Sequence, residues 1–360
     1  TMLLHKNNSD QKGNSYGCHE NYLMDRRTSF KRIVENLLPF FVTRQIYCGS
    51  GKVGSENRNH PCDFQISQRA DFFETEVALD TMVKRPIINT RDEPHADREK
   101  YRRLHMIVGD SNMSEYTIYL RNGVTAILLS MIEDGAIDRD LSLSNPVRAI
   151  KEVSHDPGLG KEIQLDNGKR MTAIEIQNEF LDMALTYAAK NPLDAVSRDV
   201  LEKWQHVMTC LQDDPMGLVR EIDWVAKKQL IEEFIDRKEL DWDDSRVKML
   251  DLQYHDTRPD KGLYYMLERQ GRVERICSDE EINAAVHRPP DDTRAFFRGE
   301  CLRRYPGEVF GVNWDSISFS VGEDPVKRIM MNEPLKGSRR HVEDLLNRSG
   351  SASELLANMG

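Results

Sequence analysis

Between Arg103 and Gly135 the hydrophobic pattern changes period. In "RLHMIVGD" (103–110), Leu104, Met106 and Val108 fall on one face, and Arg103, His105, Ile107 and Gly109 on the other. That alternation is the signature of a strand. From Asn112 to Glu133 the apolar residues recur at helical spacing, which predicts a long amphipathic helix entered by Asp110-Ser111-Asn112 and closed by Gly135. A strand that runs straight into such a helix calls for a sheet with helices packed on it. The fold class is therefore α/β, in the α+β sense.

The rest of the chain fits that scheme. Residues 1–50 read as strand, loop, strand, then a helix over "SFKRIVENLLPFFVTRQIY". Residues 63–70 and 86–90 read as further strands. Thr172 and Glu175 form a capping box that opens a helix to about Lys190. Residues 197–211 and 217–238 read as two more helices, and "SDEE" (278–281) caps another. "HRPPDDTR" (287–294) breaks the helical pattern with two prolines and reads as a linker. The domains expected are 1–288 and a small C-terminal domain, 289–360, with a helix near 294–304, strands around "VFGVNWDSISFSV" and a loosely ordered tail, "NRSGSASELLANMG".

Composition excludes several functions. The net charge of −10 weighs against a nucleic-acid binder. The best apolar run, "GVTAILLSMI" (123–132), is too short to span a membrane. Six scattered cysteines without a CxxC pair read as reduced thiols in a cytoplasmic protein. "GSGK" (49–52) is not a phosphate loop, because Val53 stands where Ser or Thr is needed. "TMLLH" at the start reads like the middle of a fold, and the chain is expected to be a fragment.

Polar chemistry concentrates in Arg85–Glu115. Arg85, Arg91, Arg98, Lys100, Arg102 and Arg103 are interleaved with Asp92, Glu93, His95, Asp97 and His105. Guanidinium forks suit phosphate oxygens; a solvated loop of internal ion pairs is the other reading. "NSYGCHENYL" (14–23) puts His19 and Asn21 on one strand face. No second Cys or His pair accompanies them, so zinc is not expected. In "SQRADF", Arg69 sits at a strand end.

Several segments together resemble the Pup ligase/Pup deamidase family of the glutamine-synthetase-like carboxylate-amine ligase superfamily. They are "GNSYGCHENYL", "LLPFFVTRQIYCGSGKV", "NTRDEPHADREKYRRLHMIVGDSNMSE", "REIDWVAKKQL" and "LDLQYHD". The likeness covers nearly the whole chain. It implies a glutamine-synthetase-like twisted, mainly antiparallel sheet packed with helices, plus a small C-terminal domain. "GNSYGCHENYL" and "GDSNMSE" look more like the ligase branch than the depupylase branch.

The resemblance implies a reaction. ATP phosphorylates the side-chain carboxylate of the C-terminal glutamate of Pup, a small ubiquitin-like protein. A substrate lysine then attacks the acyl phosphate, and an isopeptide bond forms. It also implies Mg²⁺ and ATP as cofactors, and Pup and lysine-bearing proteins as partners, without nucleic acid or membrane. Residue by residue, His19 matches a histidine at the metal–nucleotide site, Arg69 and Arg91 match arginines around the nucleotide phosphates, and His105 matches a further active-site histidine. Trp314 of "VNWDSISF" matches a tryptophan that contacts the nucleotide; by pattern alone it also reads as a small-domain core residue. Depupylase activity and a non-catalytic Pup-docking module are the alternatives. The family's G-[hydrophobic]-E-[ST]-E strand, its catalytic aspartate and a further metal-binding glutamate have no counterpart in this sequence. The general base and main Mg²⁺ carboxylates are therefore expected outside it, and the chain alone is expected to be inactive.

Overall fold

The computed structural model describes residues 2–57, 59–79, 85–322 and 326–359. The chain forms two compact units, Thr1–Asp92 with Leu104–Ile276, and Glu93–Arg103 with Cys277–Gly360. The linker segment 287–294 lies inside the second unit.

The first unit begins with strand β1 (Glu20–Asp25), helices α1 (Phe30–Thr43) and α2 (Gln45–Cys48), and the short hairpin strands β2 (Lys52–Val53) and β3 (Phe64–Gln65). Strands β4 (Thr75–Ala78), β5 (Pro86–Asn89) and β6 (Tyr101–Met106) follow. The main sheet has the order β1-β6-β5-β4, with β5 and β6 antiparallel and β4 and β5 parallel. Leu104, Met106 and Val108 are buried as the alternation predicts; His105 is buried as well, so this stretch is covered on both faces.

Helix α3 (Glu115–Asp134) ends where expected. Gly135 takes a left-handed φ of 73°, and its N–H reaches the Ile132 carbonyl. Its start is three residues later than the sequence suggests. Ser114, not Asp110-Ser111-Asn112, caps it by accepting from the Thr117 N–H. The earlier residues are committed elsewhere: the Ser111 N–H donates to Asn8 Oδ1 and Asn112 Nδ2 to the Cys48 carbonyl. Helix α4 (Pro146–Ser154) and the hairpin β7 (Glu162–Gln164) and β8 (Arg170–Thr172) lead to α5 (Ala173–Lys190), where the Thr172–Glu175 capping box is formed in both directions. After α6 (Ala195–Asp213), the helix expected over 217–238 is divided. A 3₁₀ turn spans Pro215–Leu218, and α7 is Asp223–Lys238. Asp223 is pinned by the Met113 and Ser114 N–H groups and the Tyr254 hydroxyl, which fixes where α7 starts. Helices α8 (Ser245–Tyr254) and α9 (Leu263–Arg269) complete the unit.

The predicted strand over 63–70 shrinks to Phe64–Gln65, because Ser67 and Gln68 direct their polar groups to Asp110 rather than to a ladder. Of "TMLLH", the described residues Met2–His5 form the isolated bridge His5–Asp256 and no strand; Thr1 lies outside the described residues.

The second unit holds α10 (Asp279–His287), α11 (Ala295–Arg304), the antiparallel sheet β11-β10-β9 (β9 Val309–Val312, β10 Ser316–Phe319, β11 Lys327–Met330), α12 (Arg339–Asn347) and α13 (Ala352–Met359). The tail is not loose. Leu346, Ala352 and Leu355 are buried against Phe296, Phe297, Ile317 and Phe319.

A buried charge cluster ties the first unit together. Glu20, on β1, meets Arg44 at 2.5 Å, Arg121 of α3 at 3.7 Å and the Tyr22 hydroxyl at 2.6 Å. Arg44 also stacks 4.4 Å from the Phe41 ring and donates to Thr125 Oγ1. Burial by itself would raise the Glu20 carboxyl; the two guanidinium groups outweigh it and hold the group below the usual glutamate range. Glu20→Gln leaves two buried cations without an anion and is expected to lower unfolding free energy by about 3–5 kcal/mol in denaturant titrations at neutral pH. The folded-state value is depressed, so this stabilisation is present above the unfolded glutamate value and fades as pH falls through the folded one. The wild-type urea midpoint should thus drop on acidification more steeply than that of Glu20→Gln; parallel curves would refute the assignment.

Candidate functional site

Asp110 organises the loops that carry the candidate residues. Its Oδ2 accepts from the N–H groups of Ser50 and Gln68, both at 2.9 Å, and its Oδ1 accepts from Ser67 Oγ at 2.9 Å. Ser67 Oγ in turn accepts from the Arg69 N–H at 3.0 Å. One buried carboxylate thereby fixes the two residues that precede Arg69 and, through Ser67 Oγ, its backbone N–H.

Arg69 is 3% exposed, and among the described residues its guanidinium forms no ion pair. Nε donates to Ser15 Oγ at 3.3 Å, the group packs 5.4 Å from the Phe73 ring, and Nη1 is buried without a hydrogen-bond partner. Burial pushes its pKa down to about 10, with the neighbouring charge of Arg85 acting in the same direction and Asp110 opposing. Arg85 shares the shelf: its Nη2 donates to the Ser15 carbonyl at 3.3 Å and its guanidinium sits 5.4 Å from the Phe72 ring. Among the described residues neither arginine forms an ion pair. Buried charges are ordinarily neutralised. Two adjacent guanidinium groups without a carboxylate, one with an unmet donor, make a receptor for an anion, and phosphate oxygens match their planar forks.

His19 and His105 come together beyond Ser15. His19 Nδ1 lies 2.7 Å from His105 Nε2, with the rings stacked at 5.0 Å and 13°. That contact needs a proton on one nitrogen and a lone pair on the other, so the two rings share one proton at this point. Gly17 permits it: a Cβ there would lie 3.0 Å from His19 Nε2 and 2.8 Å from Ile107 Cγ2. His19 stands just before β1 rather than within it.

Arg91 and Trp314 are the remaining candidates. Arg91 is exposed in the irregular segment after β5, its N–H donating to Asn89 Oδ1. Trp314 belongs to the second unit, in the turn between β9 and β10, and is 67% exposed, so it is not a core residue of that unit. "GSGK" is settled by contacts: Lys52 is buried and ion-paired with Glu56, and a Cβ on Gly49 would lie 2.3 Å from the Ile66 carbonyl oxygen. That glycine serves close packing, not a phosphate. Among the described residues no group of three His, Cys, Asp or Glu side chains is placed to hold a metal ion. The His19–His105 pair supplies nitrogens, whereas Mg²⁺ selects oxygens, so these residues do not by themselves fit that ion. Ser15, Arg85 and Asp110 complete the site. Arg85 is visible in the sequence only as one arginine among five in the cluster, and Asp110 only as a helix entry; neither carries a local motif.

The family described as Pup-ligase protein matches residues 1–318. The chain belongs to this family. A depupylase of Acidothermus cellulolyticus is 51% identical over 361 residues, covering 99% of this chain and 72% of that protein. A Pup–protein ligase of Actinosynnema mirum is 42% identical over 348 residues, covering 96% of this chain and 76% of that protein. The solved structure of the Pup ligase PafA in complex with ADP superposes with a TM-score of 0.85 at 36% identity, covering 96% of this chain and 76% of that one. The mixed α/β fold with its antiparallel and mixed sheets is that of the Pup-ligase family.

The Arg69 shelf makes a direct prediction. Arg69→Met removes a buried cation without stranding any acid. The ligand-free variant should melt at or above the wild-type temperature, while ATP affinity measured by calorimetry falls about 10- to 100-fold. A large loss of ligand-free stability with unchanged ATP affinity would mean that Arg69 is structural.

Proposed function

We propose that the chain binds the phosphates of ATP on Arg69 and Arg85 and works on the C-terminal glutamyl or glutaminyl side chain of Pup. The observation that carries this reading is the pair of unneutralised guanidinium groups, one of them with a buried, unmet N–H. Arg69, fixed by Asp110 through Ser67, and Arg85, held on the Ser15 carbonyl, would grip anionic oxygens without rearranging, which is the condition for electrostatic stabilisation of a transferring phosphoryl group. The bound nucleotide supplies the phosphoryl group and the leaving group. The proton shared between His19 Nδ1 and His105 Nε2 lies a short stretch of chain from Ser15, where it can be passed to or from a reacting group. Arg91, Trp314 and a metal near His19 stay within the same reading as contributors suggested by the family likeness.

The identity to the depupylase, 51% against 42% for the ligase, supports the hydrolytic direction. In that direction water adds to the carbonyl carbon, the C–N bond breaks, and ammonia or a lysine amine leaves with the proton. The motifs "GNSYGCHENYL" and "GDSNMSE" support the opposite direction, in which a substrate lysine displaces phosphate and an isopeptide bond forms.

One pair of assays separates the two. With ATP and Mg²⁺, the hydrolytic reading expects the complete protein to convert Pup ending in glutamine to Pup ending in glutamate, seen as a one-dalton mass increase (about 1 Da, the amide-to-acid change), and to form no lysine conjugate. Conjugation without deamidation reverses the assignment. The 360-residue chain assayed alone should bind ATP yet give neither product, because the family's acidic strand motif is not in its sequence.

A further inference from the structure

Both arginines of the shelf lean on one residue, Ser15, whose hydroxyl meets Arg69 and whose carbonyl meets Arg85. Ser15 belongs to the short hairpin 8–16. The hairpin closes through the Ser9–Ser15 bridge and through the Tyr16 N–H, which donates to the Asn8 carbonyl at 2.8 Å. Glu56 accepts from Ser9 Oγ and from the Gly13 N–H, on the opposite strand and in the turn.

Asn8, at the base of this hairpin, is completely buried. Its Nδ2 donates to the Tyr16 carbonyl at 2.9 Å and to Ser111 Oγ at 3.0 Å, and its Oδ1 accepts from the Ser111 N–H at 2.6 Å. Its backbone N–H donates to Gln68 Oε1 at 2.7 Å. Tyr16 follows Ser15, Ser111 follows Asp110, and Gln68 precedes Arg69. One residue therefore binds a chain neighbour of each of the three groups that build the shelf. The two ends of the carboxamide cannot be exchanged, because the Ser111 N–H needs an acceptor and the Tyr16 carbonyl needs a donor.

The backbone bonds of Asn8 survive a substitution, and the side-chain bonds do not. Without the carboxamide, the Tyr16 carbonyl and the Ser111 N–H lose these partners, and the hairpin is no longer joined to the Asp110 turn at this point. The contacts from Ser15 to Arg69 and to Arg85 are both 3.3 Å, at the long end of the hydrogen-bond range. A small shift of Ser15 is enough to lose both. An aspartate would not replace Asn8, since its second oxygen would face the Tyr16 carbonyl.

We propose that Asn8 is the positioning residue of the phosphate shelf. Its carboxamide sets where Ser15 presents its hydroxyl and carbonyl, and through Ser15 it sets how the guanidinium groups of Arg69 and Arg85 meet the phosphates. The inference rests on the nucleotide reading above and adds the residue that holds both arginines in place before the ligand arrives, so that binding does not have to order them. Asn8 acts through Ser15 and not on the nucleotide itself.

The test compares ATP with adenosine, which lacks the phosphates, in titrations of the complete protein with Mg²⁺ present. Asn8→Ala should lower ATP affinity about tenfold, the scale of two misplaced contacts, and leave adenosine affinity within about twofold. A merely structural role would weaken both ligands alike. With Arg69→Met and Arg85→Met already in place, adding Asn8→Ala should cost less than about twofold, because nothing remains for Asn8 to position. Unchanged ATP affinity in Asn8→Ala, an equal loss for ATP and adenosine, or a loss that persists undiminished beside the two arginine substitutions overturns the inference and leaves the Arg69–Arg85 reading standing. Wild-type ATP affinity in the double arginine variant overturns that reading and this inference with it. Should Asn8→Ala fail to fold, nitrogen-edited NMR of the wild-type protein decides. ATP should shift the Asn8 side-chain amide and the Arg69 Nε–H resonances along one saturation curve, and adenosine should shift neither. An Asn8 amide that stays in place while Arg69 Nε–H moves overturns the proposal.

Discussion

The first unit depends on one carboxylate placed where strand and helix periodicity meet. Asp110 follows the β6 stretch and precedes α3, and it receives three hydrogen bonds from two other loops. Its own carbonyl accepts from Arg121 Nη1 at 2.6 Å, which joins it to the Glu20–Arg44–Arg121 cluster. Burying charge is unfavourable unless every lone pair is met. Here the charges are linked along a continuous path, from Arg44 through Glu20 and Arg121 to Asp110 and Ser67, with Arg121 Nε 3.7 Å from Glu20. The path ends on the backbone N–H of Arg69. Arg69 itself breaks the rule, since its guanidinium is buried and unneutralised. Among the described residues Arg69 and Arg85 form no ion pair and Arg69 Nη1 is buried without a hydrogen-bond partner, an arrangement suited to an anionic ligand.

Much of the architecture was legible in the sequence because local rules and tertiary contacts agree there. The Thr172–Glu175 box, the left-handed Gly135 and the alternation of Leu104, Met106 and Val108 are local signals that nothing overrides. The sequence reading failed where polar side chains were diverted to distant partners. Asp110, Ser111 and Asn112 resemble a helix cap but are engaged by Asn8, Cys48 and the Ser67–Gln68 loop. The same loop cuts short the strand expected from 63 to 70. The tail looked polar because the apolar residues of α12 and α13 are few, yet they are the ones that close the small core.

The site was legible only in part, for a comparable reason. Residue types and family likeness pointed to His19, His105 and Arg69, and the fold brings the two histidines into contact. No pattern in the sequence tells a paired arginine from an unpaired one, because partners lie 24 or 66 positions away as readily as four. Arg85 becomes a candidate only once its place beside Arg69 on the Ser15 shelf is known.

The central claim is that the free guanidinium edge of Arg69 is a phosphate receptor. A structure of the complete protein with ADP bound tests it most directly. The account predicts a phosphate oxygen within hydrogen-bond distance of Arg69 Nη1, with Arg85 on the same phosphate group. A nucleotide bound with its phosphates elsewhere, and Arg69 Nη1 still unpartnered or turned to a protein acid, would contradict it.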